Sequence, residues 1–75
     1  MSNIEIFKTN VQTDNEAEKI LKSLLKLYTS YTMNFDLEDK ENILRVLSLR
    51  LDIETDSIIS HLNTLGYNCD LINHS

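Results

Sequence analysis

The sequence contains one thiol and two imidazoles, at Cys69, His61 and His74, and these are side-chain types that bind soft metal ions. A thiolate and two imidazoles together would suit Cu(I) or Zn(II). Their spacing matches no short metal-binding motif, so a shared site would require the fold to bring them together. Free cysteine is among the most frequently buried residue types. We therefore interpret Cys69 as structural, with a reactive or metal-binding thiol as the alternative, and the histidines as solvated or packed imidazoles.

A second group of potential ligands consists of carboxylate and amide side chains near the start of a predicted helix. Oxygen ligands of this kind bind hard cations, but their spacing matches no calcium-binding loop. Acidic residues are also favoured at a helix start by the helix dipole, without any bound ion. The group comprises Asp14, Asn15, Glu16 and Glu18. We predict no metal site among them.

The sequence offers no arrangement of residues typical of an enzyme. No Ser or Cys is paired with a His by a known motif, and the only glycine, Gly66, leaves no phosphate-binding loop. A chain of 75 residues is also short for a walled substrate pocket. We predict that the protein is not an enzyme and has no catalytic residues.

Length and composition indicate one small domain over residues 1–75, with a core over about 4–72 and a frayed tail at 73–75. Hydrophobic residues make up 41% and charged residues 25%, the balance of a globular protein. No apolar run approaches the roughly 20 residues of a membrane span. The first five residues lack the pattern of a secretory signal, so we expect a cytoplasmic protein without membrane contact.

Charge is unevenly distributed along this acidic chain. Seven basic and twelve acidic residues give a formal net charge of −5, which makes nucleic acid an unfavourable partner. Lys19, Lys22 and Lys26 form a basic stripe on the first predicted helix, which is either a solvated face, with Glu18 paired to Lys22, or a docking face. Acidic residues cluster instead in the predicted hairpin, at Asp36, Glu38, Asp39 and Glu41.

Hydrophobic periodicity predicts two helices. The first spans about 14–28 and carries an apolar stripe at three- and four-residue steps. Thr13 and Glu16 supply its start as a capping box, in which the hydroxyl and the carboxylate each accept a backbone N–H. The second spans about 55–65 and ends at Gly66, where a left-handed residue is expected. Their apolar residues are Ala17, Ile20, Leu21, Leu24, Leu27 and Tyr28, and then Ile58, Ile59, Leu62 and Leu65.

Four strands are predicted at residues 4–9, 31–37, 43–49 and 68–72. The second strand alternates apolar and polar residues, whereas the third is apolar on both sides from Ile43 as far as Leu51. An apolar third strand indicates a central strand, a bulge, or a sheet face covered by a partner. The order of elements predicts an α+β ferredoxin-like βαββαβ sandwich, with both helices on one face of a four-stranded antiparallel sheet.

With this element order, the chain resembles the heavy-metal-associated domain family of copper chaperones over about residues 4–72. In that family the first loop reads Gly-Met-x-Cys-x-x-Cys, followed by Ala and apolar residues three and seven positions later. Here the stretch is Asn10-Val11-Gln12-Thr13-Asp14-Asn15-Glu16, followed by Ala17, Ile20 and Leu24. The closing Gly66-Tyr67 is also similar to the family pattern. The scaffold residues match, whereas Thr13 and Glu16 stand at the two metal-binding Cys positions.

The resemblance implies a degenerate member of the family that lacks the thiolate metal site. A hydroxyl and a carboxylate are poor ligands for Cu(I), so we expect no bound cofactor and a role in protein interaction or oligomerisation. The alternative is a metal carrier that binds Cu(I) or Zn(II) through Cys69 or a second subunit. The family's docking region implies contacts to an unknown protein partner, or to a second copy, through Val11, Thr13, Glu16, Lys19, Lys22, Lys26 and Tyr67.

Overall fold

The computed structural model describes residues 3–49 and 52–72. Every predicted helix and strand is present, and each boundary lies within one residue of the expected position. The predicted tail at 73–75, His74 and Leu51 lie outside the described residues. The elements are β1 (Asn3–Thr9), α1 (Asp14–Leu27), β2 (Tyr31–Asp36), β3 (Ile43–Ser48), α2 (Thr55–Thr64) and β4 (Cys69–Leu71).

The four strands form one antiparallel sheet in the order β2-β3-β1-β4. Strand β1 lies between two strands that come much later in the chain, with Phe7 opposite both Leu44 of β3 and Leu71 of β4. Strand β2 pairs with β3, where Met33 lies opposite Val46. The predicted α+β class and four-stranded antiparallel sheet are confirmed, and the arrangement is compatible with a ferredoxin-like fold.

The hydrophobic core lies between one face of the sheet and the two helices. Alternate residues of a strand point to opposite faces, so the buried residues of β1 and β3 identify the covered face. Phe7, Leu44 and Val46 are fully buried there against Leu24 of α1 and Leu62 of α2. The rest of the buried cluster is Val11, Ala17, Ile20, Tyr31, Met33, Ile58 and Cys69.

Helix α1 begins with the Thr13 half of the predicted capping box, whereas the Glu16 carboxylate accepts the hydroxyls of Thr13 and Tyr67. Thr13 is the N-cap residue in an extended conformation, and its hydroxyl accepts the backbone N–H of Glu16. The helix then buries Ala17, Ile20 and Leu24, the predicted stripe at three- and four-residue steps. It ends where the N–H of Tyr28 donates to the carbonyl of Leu24 at 2.9 Å.

Helix α2 is held at its start by a side-chain hydroxyl and at its end by a backbone turn. The Tyr31 hydroxyl accepts the N–H of Glu54 at 3.1 Å and donates to the carbonyl of Asp52 at 2.9 Å, which fixes the segment before the helix. At the other end Gly66 has a φ of +96°, which confirms the expected positive-φ residue. Its N–H donates to the carbonyl of Asn63 at 3.0 Å.

Candidate functional site

Thr13 and Glu16, in the loop that resembles the family's metal motif, hydrogen bond to each other. The Thr13 hydroxyl accepts the Glu16 N–H at 3.2 Å and donates to Glu16 Oε1 at 3.0 Å. Both residues at the family's Cys positions are therefore engaged with each other. The predicted N-cap at Thr13 is confirmed by its hydrogen bond from the Glu16 N–H.

A second set of contacts ties this loop to the segment after α2. The Tyr67 hydroxyl donates to Glu16 Oε2 at 2.7 Å, and the Asn68 N–H donates to Asn10 Oδ1 at 2.8 Å. The hydrogen bond from Tyr67, followed by that from Thr13, lowers the pKa of the Glu16 carboxyl. Because the Glu16 carboxylate accepts this hydrogen bond, the pKa of the Tyr67 hydroxyl is raised. The ionised carboxylate thus links two chain segments.

Thr9 is the buried polar residue that organises this end of the molecule. Its hydroxyl donates to the carbonyl of Asn42 at 2.6 Å and accepts the Val11 N–H at 3.2 Å. Val11 is fully buried beneath the loop. Its predicted contact with a partner would therefore require the loop to open. Sequence reasoning missed Thr9, because a threonine at the end of a strand carries no local signal for contacts 33 residues away.

Cys69 lies on the covered face of the sheet, opposite Thr9 of β1. Burial, together with the charge of the neighbouring Asp70, raises the pKa of its thiol to about 12. A thiol with so high a pKa is a poor metal ligand and a poor nucleophile. Among the described residues, no three His, Cys, Asp or Glu side chains are grouped so that they could hold a metal ion.

His61 connects the two helices. Its Nε2 lies 2.8 Å from the Ser23 hydroxyl of α1, and the pair is partly buried. A shallow depression of about 400 Å³ lies beside it, lined in part by Asp56, Ser57 and Ser60. His61 contacts Ser23 of α1, whereas Cys69 pairs with Thr9 in the sheet, and His74 lies outside the described residues. We assign the His61–Ser23 contact to helix packing.

The lysine stripe of α1 faces solvent. Lys19, Lys22 and Lys26 are exposed, and none forms an ion pair within residues 3–49 and 52–72. The expected pairing of Glu18 with Lys22 is therefore not formed in the structure. The stripe remains a free basic surface, opposite the buried side of the helix.

The face of the sheet away from the helices carries a patch of apolar side chains. Strand alternation and register place Ile4 and Leu47 opposite each other on this face. Ile4 is 56% exposed on this face, and Leu49, one residue beyond the end of β3, is 68% exposed. No helix among the described residues packs over this face. The open-face patch comprises Ile4, Ile6, Leu47, Leu49 and Ile72.

Charged residues of both signs border the open-face patch. The register aligns Asp70, Lys8, Ile43 and Asp36 in one row across the four strands. In the next row Arg45 Nη1 donates to Asn34 Oδ1 at 3.3 Å. Among the paired strand residues that the structure describes, two acidic and two basic side chains therefore share this face and balance, although the chain has a net charge of −5.

A groove of about 540 Å³ lies on the other side of β2, between this edge strand and α1. Its apolar lining is Ala17 and Leu21 from the helix, with Phe35 and Leu37 from the strand and the turn that follows. The acidic residues that line it are Asp14, Glu18, Asp36 and Glu38. Sequence reasoning placed these carboxylates in two separate groups, and only the packing of α1 beside β2 joins them.

Comparisons with known proteins found no matching protein-family model, no matching curated protein and no matching solved structure. No helix among the described residues has the length and apolar character needed to cross a membrane.

Proposed function

We propose that this protein is a small interaction module that self-associates through its open sheet face. The observation that carries the proposal is the open-face patch, with Ile4 more than half exposed on a sheet face that no described helix covers, and with Leu49 exposed just beyond the end of β3. Exposed apolar side chains grouped on one face gain free energy when a partner removes them from water. The apolar outward residues of β3 thus support the expectation of a partner-covered sheet.

The charges of this face favour a second copy as the partner. A surface with two acidic and two basic residues meets its own copy without net repulsion, because it carries no excess of either sign. A strongly basic partner would gain nothing here, since the acidic excess of the chain lies elsewhere. Two sheets also stack well through faces of this kind, at a spacing of about 10 Å.

The size of the face sets the expected strength of the dimer. Four strands about 4.8 Å apart and six residues of about 3.3 Å each give a face on the order of 400 Å² in projection. Standard stable interfaces bury about 800 Å² on each partner. We therefore expect a weak, concentration-dependent dimer in which monomer and dimer exchange.

Sedimentation velocity over a concentration series tests the proposal. We expect the mean mass to rise from monomer toward dimer in the native protein. Leu49→Lys should keep the protein monomeric, because it places a charge in the interface. The matched control is Leu27→Lys, which changes another leucine, 61% exposed on α1, and alters the net charge equally. A native protein that stays monomeric throughout, or equal dimerisation by both variants, would contradict self-association.

We also propose that the chain is a degenerate, ferredoxin-like relative of the heavy-metal-associated domains. Support comes from the element order, the compatible strand order and the Thr13–Glu16 cap at the family's Cys positions. The burial and high pKa of Cys69 argue against the alternative of a metal carrier. Anaerobic titration of the reduced protein with Cu(I) and Zn(II) against a competing chelator should give no stoichiometric uptake. Uptake that Cys69→Ser abolishes would restore the carrier hypothesis.

A further inference from the structure

We propose that two copies of this chain also pair through their β2 edges, so that their four-stranded sheets join edge to edge. The two-fold axis would run perpendicular to the sheet at Asn34, and α1 of one copy would lie antiparallel to α1 of the other. This contact lies outside the open-face patch and does not depend on the proposed function. Free backbone groups, compatible side chains and a complementary charge pattern carry the proposal.

Strand β2, Tyr31–Asp36, has a free outer edge. It pairs on one side only, with β3, among the described residues. Edge strands are commonly protected from further pairing by Pro, by Lys, by bulges or by extreme shortness. Strand β2 has six residues and contains neither Pro nor Lys. Its outer edge is therefore able to pair with another strand.

Hydrogen bonds elsewhere in the sheet show which backbone groups of β2 face outward. The Thr9 N–H donates to the carbonyl of Asn42, so this pair between β1 and the start of β3 is a hydrogen-bonded one. Hydrogen-bonded pairs recur at every second residue, and the residues between them bond to the strand on the other side. In β3, Arg45 is such a residue and bonds to β2. The N–H and C=O groups of Met33 and Phe35, which flank its partner, therefore point to the free edge.

The side chains that would meet across this edge are compatible. A two-fold axis at Asn34 places Met33 of one copy opposite Phe35 of the other, where their outward N–H and C=O groups hydrogen bond to each other. Both side chains lie on the covered face, and the pairing would cover the exposed part of the half-buried Phe35. Asp36, the charged residue of β2, would lie opposite Thr32. The pairing therefore brings no like charges together between the two strands.

Helix α1 carries charges of both signs on its side nearest the free edge. Asp14, Glu18 and Leu21 line the groove beside β2, and Lys22 follows Glu18 by four residues, which places it on the same side of the helix. Glu18 and Lys22 are exposed, and neither forms an ion pair with a described residue. Because the two-fold axis reverses the helix, Glu18 of each copy would face Lys22 of the other.

The presence of both signs favours a second copy over a uniformly charged partner. A basic segment would be repelled by Lys22, and an acidic segment would be repelled by Glu18. The contact involves one strand edge and one helix side from each copy, which is less surface than the open face. We therefore expect it only at higher concentrations than open-face pairing, where Leu49→Lys is otherwise monomeric.

NMR spectra of the Leu49→Lys variant over a concentration series test this contact, because the variant lacks the open-face contact. Between about 0.1 and 2 mM, we expect the amide resonances of Met33 and Phe35 to shift with concentration. Those of Thr32 and Asn34, whose N–H groups face β3, should shift less. The result does not depend on whether the native protein pairs through its open face. Constant amide shifts of Met33 and Phe35 up to about 2 mM would overturn the proposal.

Charge exchange on α1, in the same Leu49→Lys background, tests the partner and its orientation. Glu18→Lys or Lys22→Glu alone would create like-charge contacts and should weaken the pairing at least about tenfold. The double change should restore the affinity to within about threefold, because the two exchanged charges again face each other across the axis. The control Glu54→Lys changes an exposed residue without a capping hydrogen bond and should also stay within about threefold. A double variant as weak as either single variant would overturn the proposal.

Discussion

The first loop and the uncovered surfaces of the sheet differ in how far their side chains are buried or hydrogen bonded. Around Thr9, Val11 and Glu16 the side chains are buried or hydrogen bonded to other parts of the chain. On the open face Ile4 lies exposed, and in the groove the carboxylates form no ion pairs among the described residues. We call the first region the closed end, defined by Thr9, Val11, Thr13, Glu16, Tyr67 and Cys69.

This difference indicates where binding energy is available. A group that already has its partners gains little from a second molecule, because it must give up one hydrogen bond to make another. Exposed apolar area gains free energy when a partner covers it, and an unpaired charge gains free energy when a partner supplies the opposite charge. The family resemblance directs attention to the loop, whereas the physical chemistry of the surfaces favours the far side of the sheet and the edge of β2.

Chemical modification of Cys69 gives the largest expected effect at the closed end. Its pKa of about 12 leaves about a thousandfold less thiolate than a free thiol of pKa 9.0 would have at the same pH. Burial slows access further. We expect iodoacetamide to react at least about a thousandfold faster in urea than in the folded protein at pH 8. Similar rates in both conditions would mean that the closed end opens readily.

Substitution of Val11 tests how much side-chain packing at the closed end contributes to the free energy of unfolding. Val11→Ala removes two buried methyl groups and leaves a cavity, so we expect a loss of about 2 kcal/mol in the free energy of unfolding. Leu49→Ala, on the open face, should change the stability of the monomer by less than about 0.5 kcal/mol. Urea denaturation at a concentration where the protein is monomeric measures both. Equal losses at the two sites would remove the distinction between the closed end and the open face.

Removal of the helix cap should have a smaller effect. Thr13→Ala deletes the acceptor of the Glu16 N–H, and loss of such a cap costs about 1 kcal/mol of stability. Thr29→Ala changes an exposed threonine between α1 and β2 and should stay within about 0.5 kcal/mol. Thermal unfolding of the two variants side by side makes the comparison. A melting temperature for Thr13→Ala equal to that of the native protein would contradict its role as the cap.

The pH dependence of stability should reveal the contribution of the ionised Glu16 carboxylate. Its folded pKa lies below its ordinary value of 4.5, so its contribution is fully present above that value. The contribution is lost as the pH falls through the lowered folded pKa. We expect the native protein to lose more stability than Glu16→Gln between about pH 6 and pH 3. Parallel curves of urea midpoint against pH for the two proteins would show that Glu16 makes no such contribution.

The elements were predictable because short-range patterns determine them. Thr13 and Glu16 are three residues apart, and the buried stripes of both helices repeat within one or two turns. The apolar third strand also gave a correct signal, because β3 lies inside the sheet and bears Leu47 on the open face.

Contacts between distant segments were not predictable. Glu16 meets Tyr67 across 51 residues, and Thr9 meets Asn42 across 33. Neither partner shows a local pattern, because these contacts depend on the sheet register and on the path of each crossover. The groove escaped prediction for the same reason, since its carboxylates come from a helix start and from a turn. Val11 was assigned to a binding surface because the burial of a loop residue depends on what packs beneath it.

The position of β1 in the sheet has a consequence for synthesis of the protein on the ribosome. The first strand to emerge has both of its neighbours, β3 and β4, still to be made. Lys8, for example, pairs with Ile43 on one side and with Asp70 on the other, and both are synthesised later. Until residues 69–71 have left the exit tunnel, β1 keeps one unpaired edge, and such an edge can pair with other nascent chains. The sheet is therefore completed only after translation of β4, and its assembly is expected to be slow for so short a chain because its pairings are long-range.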